Sequence, residues 1–166
     1  PDGVRDLVHG AIFTRGPKDL RHTAIFIGGT DMGAGERLLA AVVGTFFGPM
    51  RVSVMLDSNG SNTTAVAAVA KLRQAAGTLQ GRRAIVVAGS GPVGTRAAGL
   101  LSKAGADVTV TSRHIEKGGL AARIASRFGG SLRDVTLRGA SDAAEVLEGA
   151  ELLLNAGPAG VRLGPK

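Results

Sequence analysis

The 166-residue chain has no cysteine, no tryptophan and no tyrosine, and only 5 phenylalanines. Without cysteine there can be no disulfide and no thiolate metal site, and a reducing, cytoplasmic setting is expected. An aromatic content of 3% leaves no stacking platform for single-stranded nucleic acid. No signal peptide precedes the first elements, and no apolar run is long enough to cross a bilayer, so neither secretion nor a membrane partner is expected. Asn59-Gly60-Ser61 and Asn62-Thr63-Thr64 match glycosylation sequons, but without a secretion signal they are discounted. The metalloprotease, serine-hydrolase and P-loop signatures are missing. His9, His22 and His114 lie far apart, and no metal site is expected. No internal repeat is evident, and the lack of a regular glycine period or of biased runs argues against collagen-like and low-complexity sequence.

What remains is aliphatic, glycine-rich and basic. Hydrophobic residues make up 44%, so the core must be built from Ala, Val, Leu and Ile. Most of the 26 glycines fall where two elements would meet, as in an α/β protein with tight strand-to-helix turns. The net charge is +7 and the isoelectric point about 11.0. Yet Arg82-Arg83 is the one adjacent basic pair. That scatter argues for a solvated basic surface and an anionic small ligand rather than a nucleic-acid footprint. The chain opens on Pro1-Asp2-Gly3 and closes on Gly164-Pro165-Lys166 just after an apolar run. It is read as an internal piece of a longer protein.

Apolar runs at Ala11–Phe13, Thr23–Ile27 and Arg51–Leu56 read as strands of a first region. Asp31 is placed to cap a helix from Met32 to Phe47, with Leu38, Leu39, Val42, Val43 and Phe46 on one face and Gly48-Pro49 as the stop. After DSNGSNTT (Asp57 to Thr64) a small-residue helix runs from Ala65 to Ala76, and Gly77 closes it. The second region alternates regularly. Strands are expected at Arg83–Ala88, Val108–Thr111, Asp134–Leu137 and Glu151–Asn155. Helices are expected at Pro92–Ala104, Gly119–Arg127 and from a Ser141 cap to Leu147. Such alternation implies a doubly wound, Rossmann-like parallel sheet with right-handed crossovers, plus part of a smaller α/β domain. The expected division is residues 1–62 for the substrate domain, 63–80 for a connecting helix and 81–166 for a nucleotide domain lacking its last strands.

Gly89-Ser90-Gly91-Pro92-Val93-Gly94 is a G-x-G-x-x-G between an expected strand and an expected helix, the context a dinucleotide site needs. Gly89 permits the tight turn, Gly91 a close approach to a pyrophosphate, and Gly94 the packing of helix on strand. Pro92 suits a helix start because its missing N–H is not needed there. At the tip of the next strand an NAD-binding chain would place an acid for the ribose hydroxyls. Here stand Ser112, Arg113 and His114, with Lys117 beyond. Guanidinium is a fork-shaped donor to phosphate, and Ser112 adds a neutral bond. Charge-assisted bonds of about 1.5–3 kcal/mol would favour NADP over NAD by roughly tenfold to hundredfold. The alternative is a solvated basic tip; His114 is read as exposed, and Lys117 as an electrostatic aid. Asn155-Ala156-Gly157-Pro158-Ala159, at the tip of the fourth strand, is small enough to pass close to a nicotinamide ribose.

On the substrate side the candidates are Asp57, Asn59, Ser61, Asn62 and Thr63, in a loop expected between the two regions. A turn and helix cap, with Ser61 or Asn62 capping, explains the same residues equally well. No residue is identified as an acid–base catalyst. An alcohol dehydrogenase would want a proton acceptor. A carbon held between two nitrogens would not, because a nitrogen lone pair expels hydride and stabilises the cation left behind.

FFGPMRVSVMLDSNGSNTTA (Phe46 to Ala65) closely resembles the NADP-dependent methylene-tetrahydromethanopterin dehydrogenases of methylotrophic bacteria. So do IFTRG (Ile12 to Gly16), TAIFIGGTDMGAGER (Thr23 to Arg37) and GSGPVGTRAAGLL (Gly89 to Leu101). The resemblance spans nearly the whole chain. It implies hydride transfer from methylene-tetrahydromethanopterin, or methylene-tetrahydrofolate, to NADP (in some relatives NAD), giving the methenyl form, as part of one-carbon oxidation. It also implies a pterin domain against a nucleotide domain, with the active site in the cleft, and homo-oligomers that are often trimers or hexamers. Gly89, Gly91, Pro92 and Val93, with Ser112-Arg113, match the family's NADP contacts. The family's usual Gly-Arg-Lys reads Ser112-Arg113-His114 here, so the arginine is kept and one fixed charge is lost. Ala156 to Gly160 looks more like relatives with relaxed cofactor choice. The family's N-terminal substrate loop and its C-terminal lysine-containing segment find no match. Two other readings stand beside this one. A shikimate-dehydrogenase-like oxidoreductase would want a Lys/Asp pair, for which Lys18 with Asp19 or Asp31 offers no convincing motif. A non-enzymatic NADP-sensing module would bind without turnover.

Overall fold

A computed structural model describes residues 3–113, 119–136 and 140–158. The chain divides into two units, Pro1–Asn62 and Thr63–Lys166.

In the first unit, helix α1 (Val4–Ile12) is followed by a short 3-10 turn, strand β1 (Ala24–Ile27), helix α2 (Met32–Thr45) and strand β2 (Ser53–Leu56). The strand expected at Ala11–Phe13 is instead the end of α1. The reason is the spacing of four between Val4, Val8 and Ile12. It puts all three on one helix face, with Val8 and Ile12 buried, and outweighs a three-residue apolar run. Asp31 caps α2 as expected, its carboxylate accepting from the Ala34 N–H at 2.9 Å. The helix stops at Thr45, two residues short of the expected Phe47, where Phe46 turns extended. Leu38, Leu39, Val42 and Phe46 join the core with Val8, Ile12, Ile27, Val54 and Leu56. Val43, at the edge of that stripe, stays 53% exposed. The strands pair in parallel, Ala24 opposite Ser53 through Ile27 opposite Leu56.

Helix α3 (Ser61–Ala76) starts four residues before the expected Ala65, directly after a 3-10 turn at Ser58–Gly60. Gly77 ends it at φ +75°, its N–H donating to the Arg73 carbonyl, so a left-handed glycine closes the helix. Strands β3 (Arg83–Val87), β4 (Asp107–Ser112), β5 (Leu132–Thr136) and β6 (Leu152–Asn155) alternate with α4 (Pro92–Lys103), α5 (Gly119–Phe128) and α6 (Ala140–Leu147). All pairings are parallel, and the spatial order is β5-β4-β3-β6. Numbered within this sheet, that is 3-2-1-4, the order that opens a Rossmann-like fold. Several element ends differ from expectation by one residue, and two differ in other ways. Strand β5 begins at Leu132, and Ser141, expected as a cap, lies inside α6. Leu137, expected to end β5, lies outside the described residues, as do His114, Lys117, Ala159 and Gly160.

The core of this unit joins Ala84 and Val86 of β3, Val108 and Val110 of β4, and Leu152 and Leu154 of β6 to Ala97, Ala98 and Leu101 of α4 and Leu120 and Ile124 of α5. In-register pairing puts those strand residues on one face of the sheet. Small residues let the layers close tightly. At Gly99 a side chain would collide with the Phe128 ring. The strand tips, the carboxyl ends where such folds bind ligands, lie beside the start of α4.

Candidate nucleotide site and substrate loop

Between β3 and α4 the chain reverses over a few residues. Ala88 takes φ +55°, a left-handed conformation uncommon for a residue with a side chain. The Gly89 N–H donates to the Thr111 carbonyl at 2.8 Å, fixing the turn to β4. Thr95 closes it from the helix side, its hydroxyl donating to the Gly89 carbonyl at 3.1 Å. The three glycines then separate by cause. A methyl at Gly89 would strike the Val110 side chain, and one at Gly94 would lie 2.6 Å from the Gly89 Cα and 2.9 Å from the Ala88 carbonyl. Those two are required by packing. Gly91 is not: its φ is −73° and ψ 167°, open to any residue. A methyl there would meet nothing closer than the Ala88 carbonyl at 3.7 Å. Nothing inside the described protein asks for glycine at 91, whereas a pyrophosphate lying on the turn would.

The helix behind the turn is prepared for an anion. No side chain caps the start of α4, no acid lies in its first turn, and Pro92 sits at its first position. Its leading N–H groups and the positive end of its dipole therefore face outward from Gly91. Arg96, one turn in, is 4% exposed and donates to the Pro92 carbonyl at 3.0 Å, holding that first turn.

The structure brings the β4 tip to this turn. Ser112 ends β4 in the half-buried range and Arg113 follows, exposed, in a bend. The Ser112 hydroxyl lies 2.9 Å from the Ser90 hydroxyl. Beside β3, β6 delivers Asn155, whose side chain accepts from the Gly157 N–H at 2.9 Å, while the Ala156 N–H donates to Val87. Ala156 meets the position a side chain at Gly94 would take, at 3.1 Å. Thus Gly89, Ser90, Gly91, Pro92, Val93, Ser112, Arg113, Asn155, Ala156 and Gly157 gather at the carboxyl ends of three neighbouring strands. The Thr111 hydroxyl is buried with no hydrogen-bond partner among the described residues. None of Ala88, Thr95 and Thr111 carries a sequence signal that singles it out.

In the first unit, the loop after β2 is tied to the loop after β1. The Asp57 N–H donates to the Ile27 carbonyl at 2.9 Å, Asn59 N–H to Gly29 at 2.6 Å, and the Ser58 hydroxyl to Gly28 at 2.8 Å. Asp57 accepts from the Asn62 N–H at 2.9 Å, the capping contact for α3, and the Asn62 amide donates to the Leu56 carbonyl at 2.7 Å. Ser61 is fully buried, and its hydroxyl donates to Ser58 at 2.9 Å. Asn59, at φ 55°, and Thr63 are exposed. Of the five substrate-side candidates, then, Asp57, Ser61 and Asn62 make the bonds that build the loop, and Asn59 and Thr63 are its exposed members. At Gly35 of α2, a side chain would run into Ser58 and lie 2.9 Å from Leu56, so the helix sits directly on this loop.

Among the described residues no group of three or more His, Asp or Glu side chains could hold a metal ion. None of their helices is long and apolar enough to cross a membrane.

Fold and turn together define a class: an α/β protein with a Rossmann-like unit. Comparison with known proteins narrows it. Residues 1–59 match the family model described as methylene-tetrahydromethanopterin dehydrogenase, N-terminal. Over those residues the chain is similar to that family, as the motifs there led us to expect. It is 47% identical over its whole length to the bifunctional protein MdtA of Methylorubrum extorquens, covering 58% of that protein. It is 32% identical over 96% of its length to the NAD(P)-dependent methylenetetrahydromethanopterin dehydrogenase of the same organism, covering 56% of it. The chain thus spans a little over half the length of these relatives. Among solved structures, ornithine carbamoyltransferase from Pyrococcus furiosus superposes with a TM-score of 0.63 over 95% of this chain and 46% of its own, at 18% identity. That likeness concerns the fold alone.

Proposed function

We propose that this chain is part of a dehydrogenase that passes a hydride from methylene-tetrahydromethanopterin, or methylene-tetrahydrofolate, to NADP, with NAD as a weaker alternative. The observation that carries the nucleotide half is Gly91: a glycine with ordinary backbone angles and open space around it, in front of an uncapped helix. Arg113 beside the Ser112–Ser90 pair supports NADP as the preferred cofactor. The match of residues 1–59 supports the pterin half, with Asn59 and Thr63 as the side chains offered to it.

The chemistry asks for positioning rather than proton transfer. The methylene carbon lies between two nitrogens. Its C–H bond breaks with both electrons leaving as hydride to the nicotinamide ring, and a nitrogen lone pair stabilises the methenyl cation that remains. No proton moves, so the reading needs no general base. A homo-oligomeric assembly and a cytoplasmic location belong to the same reading. The test is reduction of NADP by methylene-tetrahydromethanopterin, followed at the absorbance of the reduced nicotinamide, with a protein made at the full length of its relatives. Tight NADP binding without turnover of any methylene-pterin would leave a nucleotide-binding protein and remove the dehydrogenase.

A further inference from the structure

Ser90 is the first variable position of the glycine turn, and the turn alone leaves its side chain without a task. The structure gives it one. Its hydroxyl lies 2.9 Å from that of Ser112, 22 residues further along, and either can be the donor. Ser90 and Arg113 are exposed, Ser112 is half-buried, and Arg113 follows Ser112 directly at the end of β4. The bond between Gly89 N–H and the Thr111 carbonyl holds turn and tip in register, so the pairing is built into the backbone.

We propose that the Ser90 hydroxyl is a selectivity-determining group for the 2′-phosphate of the nucleotide, acting through Ser112. This rests on the NADP reading above. Two hydroxyls carry two hydrogens. One is spent between them, whichever donates, and the other is left to point outward. A hydroxyl that already accepts a bond is polarised and donates more strongly. A ribose hydroxyl, able to donate and accept, gains little from such a donor. A phosphate near neutral pH is an acceptor and gains both from it and from the Arg113 fork beside it. Without Ser90, the Ser112 hydrogen is free to turn back to a local carbonyl. Ser90 thus ties the loop that seats the pyrophosphate to the recognition of the second phosphate.

The test is calorimetric titration of the protein with two probes that differ only in that group, 2′,5′-ADP and 5′-AMP. Variants are Ser90→Ala, Ser112→Ala, the double variant and Ser90→Thr, with thermal melts as the folding control. We expect Ser90→Ala to weaken 2′,5′-ADP by about three- to tenfold, the range of one neutral hydrogen bond. Binding of 5′-AMP should stay within about twofold. The double variant should be no worse than Ser112→Ala, because the two act as a unit. Ser90→Thr, which keeps the hydroxyl, should restore the preference. Equal weakening of both probes in Ser90→Ala would make Ser90 a turn-shaping residue and overturn the inference, as would no change with either. A wild-type protein that does not distinguish the probes would remove the NADP preference itself, and this inference with it. Loss of preference in Arg113→Ala alone, with Ser90→Ala silent, would keep the NADP reading and overturn only the hydroxyl relay.

Discussion

Substituting alanine at Gly91 separates binding from stability as few changes in this chain can. The residue has φ −73° and ψ 167°, and a methyl group would find the Ala88 carbonyl at 3.7 Å and nothing nearer. Replacing glycine where alanine fits restricts the unfolded chain and stabilises by about 0.4–1 kcal/mol. For a chain of this size that is a rise in Tm of at most about 2–4 °C. The same methyl occupies the space where a pyrophosphate would lie against the first turn of α4. Losing one or two charge-assisted bonds from backbone N–H groups, at about 1.5–3 kcal/mol each, weakens nucleotide binding by roughly tenfold to more than a hundredfold. Gly94→Ala is the contrast. Its methyl would lie 2.6 Å from the Gly89 Cα and 2.9 Å from the Ala88 carbonyl, backbone atoms that cannot swing away. It should cost about 1–3 kcal/mol of stability and distort the turn as well. Thermal melting with calorimetric titration of NADP reads both quantities. If Gly91→Ala binds NADP as well as the parent chain, the turn holds no pyrophosphate. If it melts as low as Gly94→Ala, the steric reasoning itself is wrong.

Arg113→Ala should leave NAD affinity within about twofold and lower NADP affinity by about tenfold or more; equal effects on both would make the β4 tip a general electrostatic surface. Thr111→Val removes a buried hydroxyl that has no partner among the described residues and keeps its shape, so it should raise stability by about 1 kcal/mol in urea melts; a loss would mean that the hydroxyl is satisfied. The Glu151 carboxyl is held below its ordinary range chiefly by the Arg83 N–H and then by the Arg82 guanidinium, which outweigh the opposing effect of burial. A lowered folded pKa gives stability that is present above the unfolded value and is lost as pH falls through the folded one. Glu151→Gln should therefore flatten the acid limb of a Tm–pH profile below about pH 4.5 and leave the slope at neutral pH unchanged.

The parts of this fold that a sequence writes most plainly are those governed by local periodicity. Alternating strand and helix patterns from Arg83 to Asn155 gave a parallel sheet because each run was bounded by glycine and each helix had its own apolar stripe. Asp31 was legible as a cap because an acid before a helical stripe has few other uses. Helix α1 was not, because its stripe of Val4, Val8 and Ile12 is thin and Ala11–Phe13 imitates a short strand. Nor could periodicity show which candidates in DSNGSNTT build the loop. That depends on the loop after β1, some thirty residues earlier, which takes up Ser58 and Asn59. The same limit hides the Ser90–Ser112 pair and the burial of Thr111, both products of strand order rather than of neighbouring residues.

The most direct test of the central claim is a side-by-side measurement of NADP and NAD reduction by methylene-tetrahydromethanopterin at equal cofactor concentration, on the protein at the full length of its relatives. Turnover is expected with both, with kcat/KM favouring NADP by about tenfold or more and the preference disappearing in Arg113→Ala. No reduction of either cofactor by a protein that binds NADP tightly would contradict it.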